Sequence, residues 1–191
     1  MKDLSIFNVE TITNELMKNP SHDSNWVNNA ANIIFNSQNE YTEEFLSEFD
    51  ASQIAVMNDI INYSNNSGDK IAEEKLFRKD LNSSQMMLLF EIIKMRDSLP
   101  DLAIDKLIDP SIPYGKLGYI HKAFSEGLFK IVDYIDYDIN QIYEIFAGMI
   151  NGLDYTKYAN KEISAEKMGL IRHALELNMN VGYSDEIITV K

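Results

Sequence analysis

The sequence predicts an all-α fold, and three observations support this fold class. The 191 residues include only 4 Pro and 8 Gly, which is little material for the many tight turns of a β-sandwich or barrel. Hydrophobic residues make up 45% and charged residues 25%, which are the averages of globular proteins and not of disordered or coiled-coil sequences. Apolar residues also recur at helical spacing after a series of helix-start signals. A chain of this length is long enough to bury a core.

The first 48 residues are predicted to form a distinct N-terminal helical region that becomes acidic toward its end. A short helix is expected over residues 11–18, and another helix is expected to end near Phe49. Between them, Ser24 is placed to cap a helix with one apolar face, formed by Trp26, Ala30, Ile33 and Ile34.

Residues 49–191 are predicted to form an α-helical repeat region with five copies of one design. Each copy begins with an apolar residue, then a capping residue, then Gln or Lys three positions later, then a second apolar residue. This spacing combines a capping box with a hydrophobic staple, although Pro113 stands at one cap and Lys116 and Lys167 replace the Gln. The copies start near residues 49, 81, 112, 137 and 163.

The segments that follow these helix starts differ in length. The first two copies leave room for a second helix, near residues 70–79 and 100–108, whereas the later copies leave room only for a turn. Because no single copy can bury its apolar stripe alone, neighbouring copies must stack. The result is predicted to be either a helical repeat array or a compact helical bundle.

Two features of the composition bear on the environment of the protein. The chain has no cysteine, which excludes disulfides, Cys-ligated zinc and thiol catalysis and fits a reducing compartment. The N-terminus lacks the apolar stretch of a signal peptide, and the longest apolar run, residues 86–90, is too short to span a bilayer. We therefore expect a cytoplasmic protein without membrane contact.

The net charge of −13 is unevenly distributed along the chain. Residues 19–69 contain no Lys or Arg and eight acidic residues. Such a segment repels phosphate and attracts basic surfaces, so it is a candidate partner interface, and the alternative is a solvated face that keeps the protein in solution. The candidate interface residues are Glu40, Glu43, Glu44, Glu48 and Asp50. A weaker candidate for nucleic-acid contact is a basic cluster interleaved with acids, formed by Lys70, Lys75, Arg78 and Lys79.

The sequence contains no recognisable catalytic or metal-binding motif. His22, His121 and His173 lie in three different segments, and no phosphate loop or nucleophile elbow is present. Two acidic groups, Glu43 with Glu44 and Asp133 with Asp136 and Asp138, are interpreted as solvated charge, because the second lacks the glycine and the bidentate Glu of a calcium loop. We therefore expect no enzyme, no cofactor and no metal.

One segment resembles a known repeat. Residues 141–159 read Gln141-Ile142-x-x-Ile145-x-x-Gly148-Met149-x-x-Gly152-Leu153-Asp154-x-x-x-Tyr158-Ala159. This is similar to a short repeat, roughly Q-M-x-x-I-R-x-G-L-x-x-G-L-D-x-x-x-Y-A, of proteins from mobile elements of low-GC Gram-positive bacteria. The similarity is good over residues 112–185, partial over residues 49–111, and absent before residue 49.

The resemblance implies an anti-defence role. Proteins with such repeats are often encoded beside antirestriction genes, and type II-A anti-CRISPR inhibitors of Cas9 include a protein similar in size, acidity and helical repeat content. The resemblance thus implies binding to Cas9 with its guide RNA and a block of target DNA binding or cleavage, without any catalytic residue. The alternatives are a protein–protein interaction scaffold or antirestriction protein of a mobile element, and a direct nucleic-acid binder that uses residues 70–79 and Arg172.

Overall fold

The computed structural model describes residues 8–37, 40–95, 104–178, 181–184 and 187–190. The fold is all-α, as predicted. Its α-helices are α1 (Val9–Leu16), α2 (Ser24–Asn36), α3 (Glu43–Leu46), α4 (Ala51–Ser67), α5 (Ile71–Leu76), α6 (Ser83–Lys94), α7 (Ile104–Leu107), α8 (Tyr114–Ser125), α9 (Ile139–Ile150) and α10 (Ala165–Glu176). Short 3₁₀ helices cover Phe129–Tyr134 and Tyr155–Lys157.

A small antiparallel hairpin follows α10, inside residues 49–191, for which the sequence predicts helical repeats alone. Its strands are β1 (Val181–Ser184) and β2 (Ile187–Val190), and the register pairs Val181 with Val190. The segment is rich in β-branched residues, which favour strands over helices.

The described chain divides into two compact units. The first unit contains α1 to α7, and the second contains α8 to α10, both 3₁₀ helices and the hairpin. The second helices predicted near residues 70–79 and 100–108 correspond to α5 and α7, although residues 100–103 lie outside the described residues. In the second unit the predicted turns are the two 3₁₀ helices.

The helix starts follow the predicted capping chemistry. Full capping boxes form at α4, α6 and α9, with the cap and Gln pairs Asp50 and Gln53, Asn82 and Gln85, and Asp138 and Gln141. Pro113 provides no side-chain cap, as expected. The prediction for α2 was wrong by one residue, because the Asp23 carboxylate accepts the backbone N–H of Trp26 at 2.8 Å and Ser24 is the first helical residue.

Each unit has its own core, built from the apolar stripes of the repeat helices. In the first unit the fully buried stripe residues include Ile33, Ile34, Ile54, Met57, Ile60, Ile61, Met86, Leu89, Ile92 and Ile93. In the second unit they include Leu117, Ile120, Ile142, Ile145, Met168 and Ile171. Burial of one stripe by its neighbours is what stabilises helices of 12 to 17 residues, which are marginal in isolation.

The capping-box glutamines also join one copy to the next. The Gln53 Oε1 accepts from its own cap, while its Nε2 donates to the Leu81 carbonyl at 2.8 Å, just before α6. The Gln141 Nε2 likewise donates to the Ile163 carbonyl at 2.7 Å, just before α10. The side-chain amide of one glutamine therefore caps the start of its own helix and also satisfies a buried carbonyl of the following copy.

Other residues take over this inter-copy hydrogen bond where Gln is missing. The Lys116 Nζ donates to the Tyr137 carbonyl at 2.6 Å, just before α9. The Trp26 Nε1 donates to the Phe49 carbonyl at 3.1 Å, just before α4. Because Trp26 occupies the same position in α2 that Gln53 occupies in α4, α2 carries the repeat design as well.

A fully buried tyrosine organises the turn after α9. The Tyr158 hydroxyl donates to the Glu144 carbonyl at 3.1 Å and lies directly against the α carbon of Gly148. Burial raises the pKa of Tyr158 well above its ordinary value. The chain reverses here through Gly152, whose φ of +65° suits glycine.

We predict that Gly148→Ala destabilises the second unit, because the new methyl would overlap the Tyr158 hydroxyl. The expected loss is about 2–3 kcal/mol in the free energy of unfolding, measured by urea denaturation followed by circular dichroism. Gly118→Ala is the control, since a methyl at that position of α8 meets no atom within 4 Å. It should leave stability unchanged or raise it by about 0.5–1 kcal/mol. Equal losses in both variants would contradict the packing described.

We also predict that Gln53→Glu destabilises the first unit. A carboxylate can still accept from the cap, but its second oxygen would face the Leu81 carbonyl without a proton to donate. The expected loss is about 2–3 kcal/mol, measured by urea denaturation with the fluorescence of Trp26, the only tryptophan. Asn28→Asp makes the same chemical change on the exposed side of α2 and should have little effect. If Gln53→Glu leaves the free energy of unfolding unchanged, the inter-copy hydrogen bond is dispensable for stability.

Candidate functional site

Two acids of the predicted interface form ion pairs with two lysines of the predicted basic cluster. Glu40 lies 2.7 Å from the Lys70 Nζ, and Glu48 lies 3.3 Å from the Lys79 Nζ. The hydrogen bond that Lys70 donates to the Glu40 carboxylate raises the pKa of Lys70. Two groups of residues that the sequence assigned to different partners are therefore ion-paired within the first unit.

The remaining two residues of the basic cluster also have acidic partners. The Lys75 Nζ lies 2.6 Å from Asp105, and the Arg78 guanidinium lies 2.6 Å from Asp80. The pairing with Arg78 lowers the pKa of Asp80. Each of the four cations of the predicted nucleic-acid contact therefore lies beside a carboxylate.

Tyr41 anchors the acidic segment on α5. Its hydroxyl donates to the Glu73 carboxylate at 2.9 Å, and its ring lies 5.4 Å from the Phe45 ring and 5.1 Å from the Phe77 ring. Burial, the hydrogen bond to Glu73 and the neighbouring negative charges raise the pKa of Tyr41 strongly. Because Glu73 is itself buried, this hydrogen bond satisfies a carboxylate that water barely reaches.

The other three candidate acids differ in their surroundings. Asp50 is the cap of α4 and accepts two backbone N–H groups at 2.8 Å each. Glu43 accepts from Asn19 at 3.3 Å and lies 3.6 Å from the His22 Nε2. Glu44 is exposed, and its carboxylate forms no hydrogen bond or ion pair with the described residues. Of the five predicted interface acids, only Glu44 has an unoccupied carboxylate.

A polar cleft lies beside this segment, at the starts of α2 and α4. The His22 ring stacks on the Trp26 ring at 3.6 Å with only 8° between the ring planes, and both rings line the cleft. The cleft has a volume of about 450 Å³ and also includes Phe49, Asp23 and Asp50. His22 stands before the Asp23 cap and therefore outside α2, so the i, i+4 spacing of a helix does not apply to it and no local sequence signal indicates this stack.

The uncompensated charge of the protein is concentrated in the first unit. Its described residues, 8–37, 40–95 and 104–111, contain 16 acidic and 7 basic side chains, a net charge of −9. Residues 112–178 of the second unit contain 9 acidic and 7 basic side chains, a net charge of −2. Glu44, Asp59 and Glu74 are exposed acids of the first unit that form no ion pair with the described residues, although the charge of Glu74 helps to raise the pKa of Lys70.

The second acidic group has structural roles. Asp138 caps α9, and Asp136 lies 3.6 Å from the Lys161 Nζ. Asp133 is exposed in the first 3₁₀ helix. Among the described residues, no three His, Asp or Glu side chains come close enough together to hold a metal ion.

Comparison of the chain with protein-family models, with curated proteins and with solved structures finds no match. Within the described ranges, none of the helices combines the length and the apolar character needed to cross a membrane.

We predict that Tyr41→Phe weakens the first unit, because it leaves the buried Glu73 without its donor. The expected loss is about 1–3 kcal/mol in the free energy of unfolding, measured by urea denaturation with Trp26 fluorescence. Tyr63→Phe is the matched control, since the Tyr63 hydroxyl has no hydrogen-bond partner among the described residues and its ring contact with Phe90 would remain. An unchanged stability of Tyr41→Phe would mean that Glu73 is satisfied by water.

Proposed function

We propose that this protein is an anti-CRISPR inhibitor of a mobile genetic element, which binds Cas9 with its guide RNA and blocks target DNA binding or cleavage. The observation that carries this proposal is the net charge of −9 on the first unit, with exposed carboxylates that form no ion pair with the described residues. The resemblance of residues 112–185 to repeats of mobile-element proteins supports the same role.

The proposed mechanism is electrostatic competition. Cas9 holds nucleic acid in a positively charged channel, so a surface of opposite charge is steered toward the same Lys and Arg residues. Long-range attraction raises the rate of association and excludes unsuitable partners, while fully desolvated contacts supply most of the affinity. Exposed apolar side chains of the first unit, Phe35 on α2 and Met87 on α6, are candidates for those contacts.

The surroundings of each acid support some candidates more than others. Glu40 and Glu48 already bind Lys70 and Lys79, and Asp50 is occupied as a helix cap. Replacing Asp50 would remove the cap of α4 and so disturb the fold as well as any interface, whereas Glu40 and Glu48 are already offset by a cation. Glu44 and two acids outside the predicted segment, Asp59 and Glu74, are exposed and are better placed to meet a basic partner.

The direct test is a DNA-cleavage assay with purified Cas9–guide RNA complex, with and without this protein, together with size-exclusion chromatography. We expect loss of cleavage and co-elution with the complex. Full cleavage without co-elution across several Cas9 orthologues would overturn the proposal. Capture of other element-encoded proteins by the same chain would then favour the interaction scaffold.

We predict that a triple variant, Glu44→Gln, Asp59→Asn and Glu74→Gln, loses at least about tenfold in inhibition, which corresponds to about 1.4 kcal/mol of binding free energy. The matched control removes three exposed acids from the second unit by Glu126→Gln, Asp133→Asn and Glu162→Gln. Both variants change the net charge by the same amount, so an effect of net charge alone would weaken inhibition equally in both. A loss that depends on the position of the acids appears only in the variant of the first unit. Equal inhibition by both variants would eliminate the acidic surface of the first unit as the interface.

A further inference from the structure

The polar cleft at the starts of α2 and α4 is lined by two carboxylates that the helix caps use only in part. Asp23 caps α2 through Oδ1, which accepts the backbone N–H of Trp26 at 2.8 Å. Asp50 caps α4 through Oδ1, which accepts two backbone N–H groups at 2.8 Å each. The Oδ2 atoms of both residues form no hydrogen bond or ion pair with the described residues. The cleft therefore offers two acceptor atoms that carry negative charge.

A donor in the wall of the same cleft also lacks a partner. The Asn19 Oδ1 accepts the backbone N–H of Ser21 at 3.1 Å, and the Asn19 Nδ2 lies 3.2 Å from the His22 Nε2. Because an amide nitrogen only donates, Nε2 is the acceptor, and the proton of the neutral ring is on Nδ1. This N–H group meets no acceptor among the described residues, although the His22 side chain is only 9% exposed. Such a donor is a group that a ligand in the cleft would satisfy.

The size, walls and charge of the cleft suit a flat cationic group. Its volume of about 450 Å³ lies within the range of ligand sites, roughly 300–1,000 Å³. Phe49 and the stacked rings of His22 and Trp26 supply aromatic walls, against which a guanidinium group packs well. No Lys or Arg lines the cleft, and residues 19–69 contain none, so no cation of this segment competes for the carboxylates.

We propose that this cleft binds an arginine side chain of a protein partner. The guanidinium group donates to the free oxygens of Asp23 and Asp50, and a backbone carbonyl beside it accepts from the His22 Nδ1. An arginine within a polypeptide supplies both the cation and the acceptor, whereas a metal ion or a simple amine would leave the His22 donor unsatisfied. The inference rests on the proposed function, in which the partner is a basic protein, and it identifies one contact that holds that partner.

The test is a titration of the full isotope-labelled chain with N-acetyl-arginine amide, followed by NMR. The indole N–H resonance of Trp26, the only tryptophan, reports on the cleft because Trp26 lines it. We expect this resonance to shift with a dissociation constant in the millimolar range and binding to weaken as salt rises. The matched ligand N-acetyl-citrulline amide has nearly the same shape without the charge and should bind at least about tenfold more weakly. The corresponding lysine compound lacks the planar fork and should bind several-fold more weakly.

Two variants test the assigned groups. Asp23→Asn removes one carboxylate, and because Asn caps helices as well as Asp does, α2 should stay capped. His22→Phe keeps an aromatic ring beside Trp26 and removes the donor. Each variant should bind N-acetyl-arginine amide at least about threefold more weakly. The control Asp138→Asn makes the same change at the cap of α9 in the second unit and should bind like the wild type.

Three results would overturn the proposal: a Trp26 resonance that does not respond to N-acetyl-arginine amide, equal responses to the arginine and citrulline compounds, or binding that either variant leaves unchanged. Because the titration needs no Cas9, its failure is distinguishable from failure of the proposed function. A chain that inhibits Cas9 but does not bind the arginine compound overturns this inference alone. A chain that binds the compound but leaves cleavage unaffected overturns the proposed function and retains the arginine site. Where both proposals hold, Asp23→Asn should weaken inhibition at least about threefold and Asp138→Asn should not.

Discussion

The stacking of the repeat helices depends on one hydrogen-bond donor per helix, placed three residues after the cap. Gln53 and Gln141 accept from their own helix start with one atom and donate to the carbonyl of the next copy with another. Where Gln is absent, Lys116 or Trp26 takes its place, and these side chains share only the ability to donate. The carbonyl that accepts this hydrogen bond is buried between copies and would otherwise be unsatisfied. The position therefore requires a hydrogen-bond donor, but different residue types can supply it.

The same register that aligns the helices aligns charges on the connecting segments. The pairs Glu40 with Lys70, Glu48 with Lys79, and Lys75 with Asp105 are separated by 30 or 31 residues in sequence. That separation is close to one repeat, so each pair joins equivalent regions of consecutive copies. Exposed pairs of this kind contribute little stability individually. The three pairs also offset three cations against three acids in the charge that a partner would meet.

Local chemistry made the helix starts predictable, whereas pairing between distant residues did not follow from the sequence. The boxes at Asp50 and Asn82 need only residues three positions apart, so spacing revealed them. The ion pair of Glu40 with Lys70 needs the copies to be stacked first, and residues assigned to separate surfaces turned out to be neighbours. The repeat character of α2 was missed because Trp26 stands where a Gln was expected.

The residues that carry the family resemblance and the residues that carry the charge lie in different units. Gly148 and Tyr158 belong to the resembling pattern, and the structure gives both of them packing roles. The pattern therefore specifies how one copy docks on the next, which many proteins with different partners can share. In the proposed function, the partner is selected by groups that packing leaves free, and in the described chain these are concentrated on the first unit, where the resemblance is weakest. Similarity in the repeats is thus evidence about the scaffold, and under the proposed function the acidic first unit is where a difference in target would be encoded.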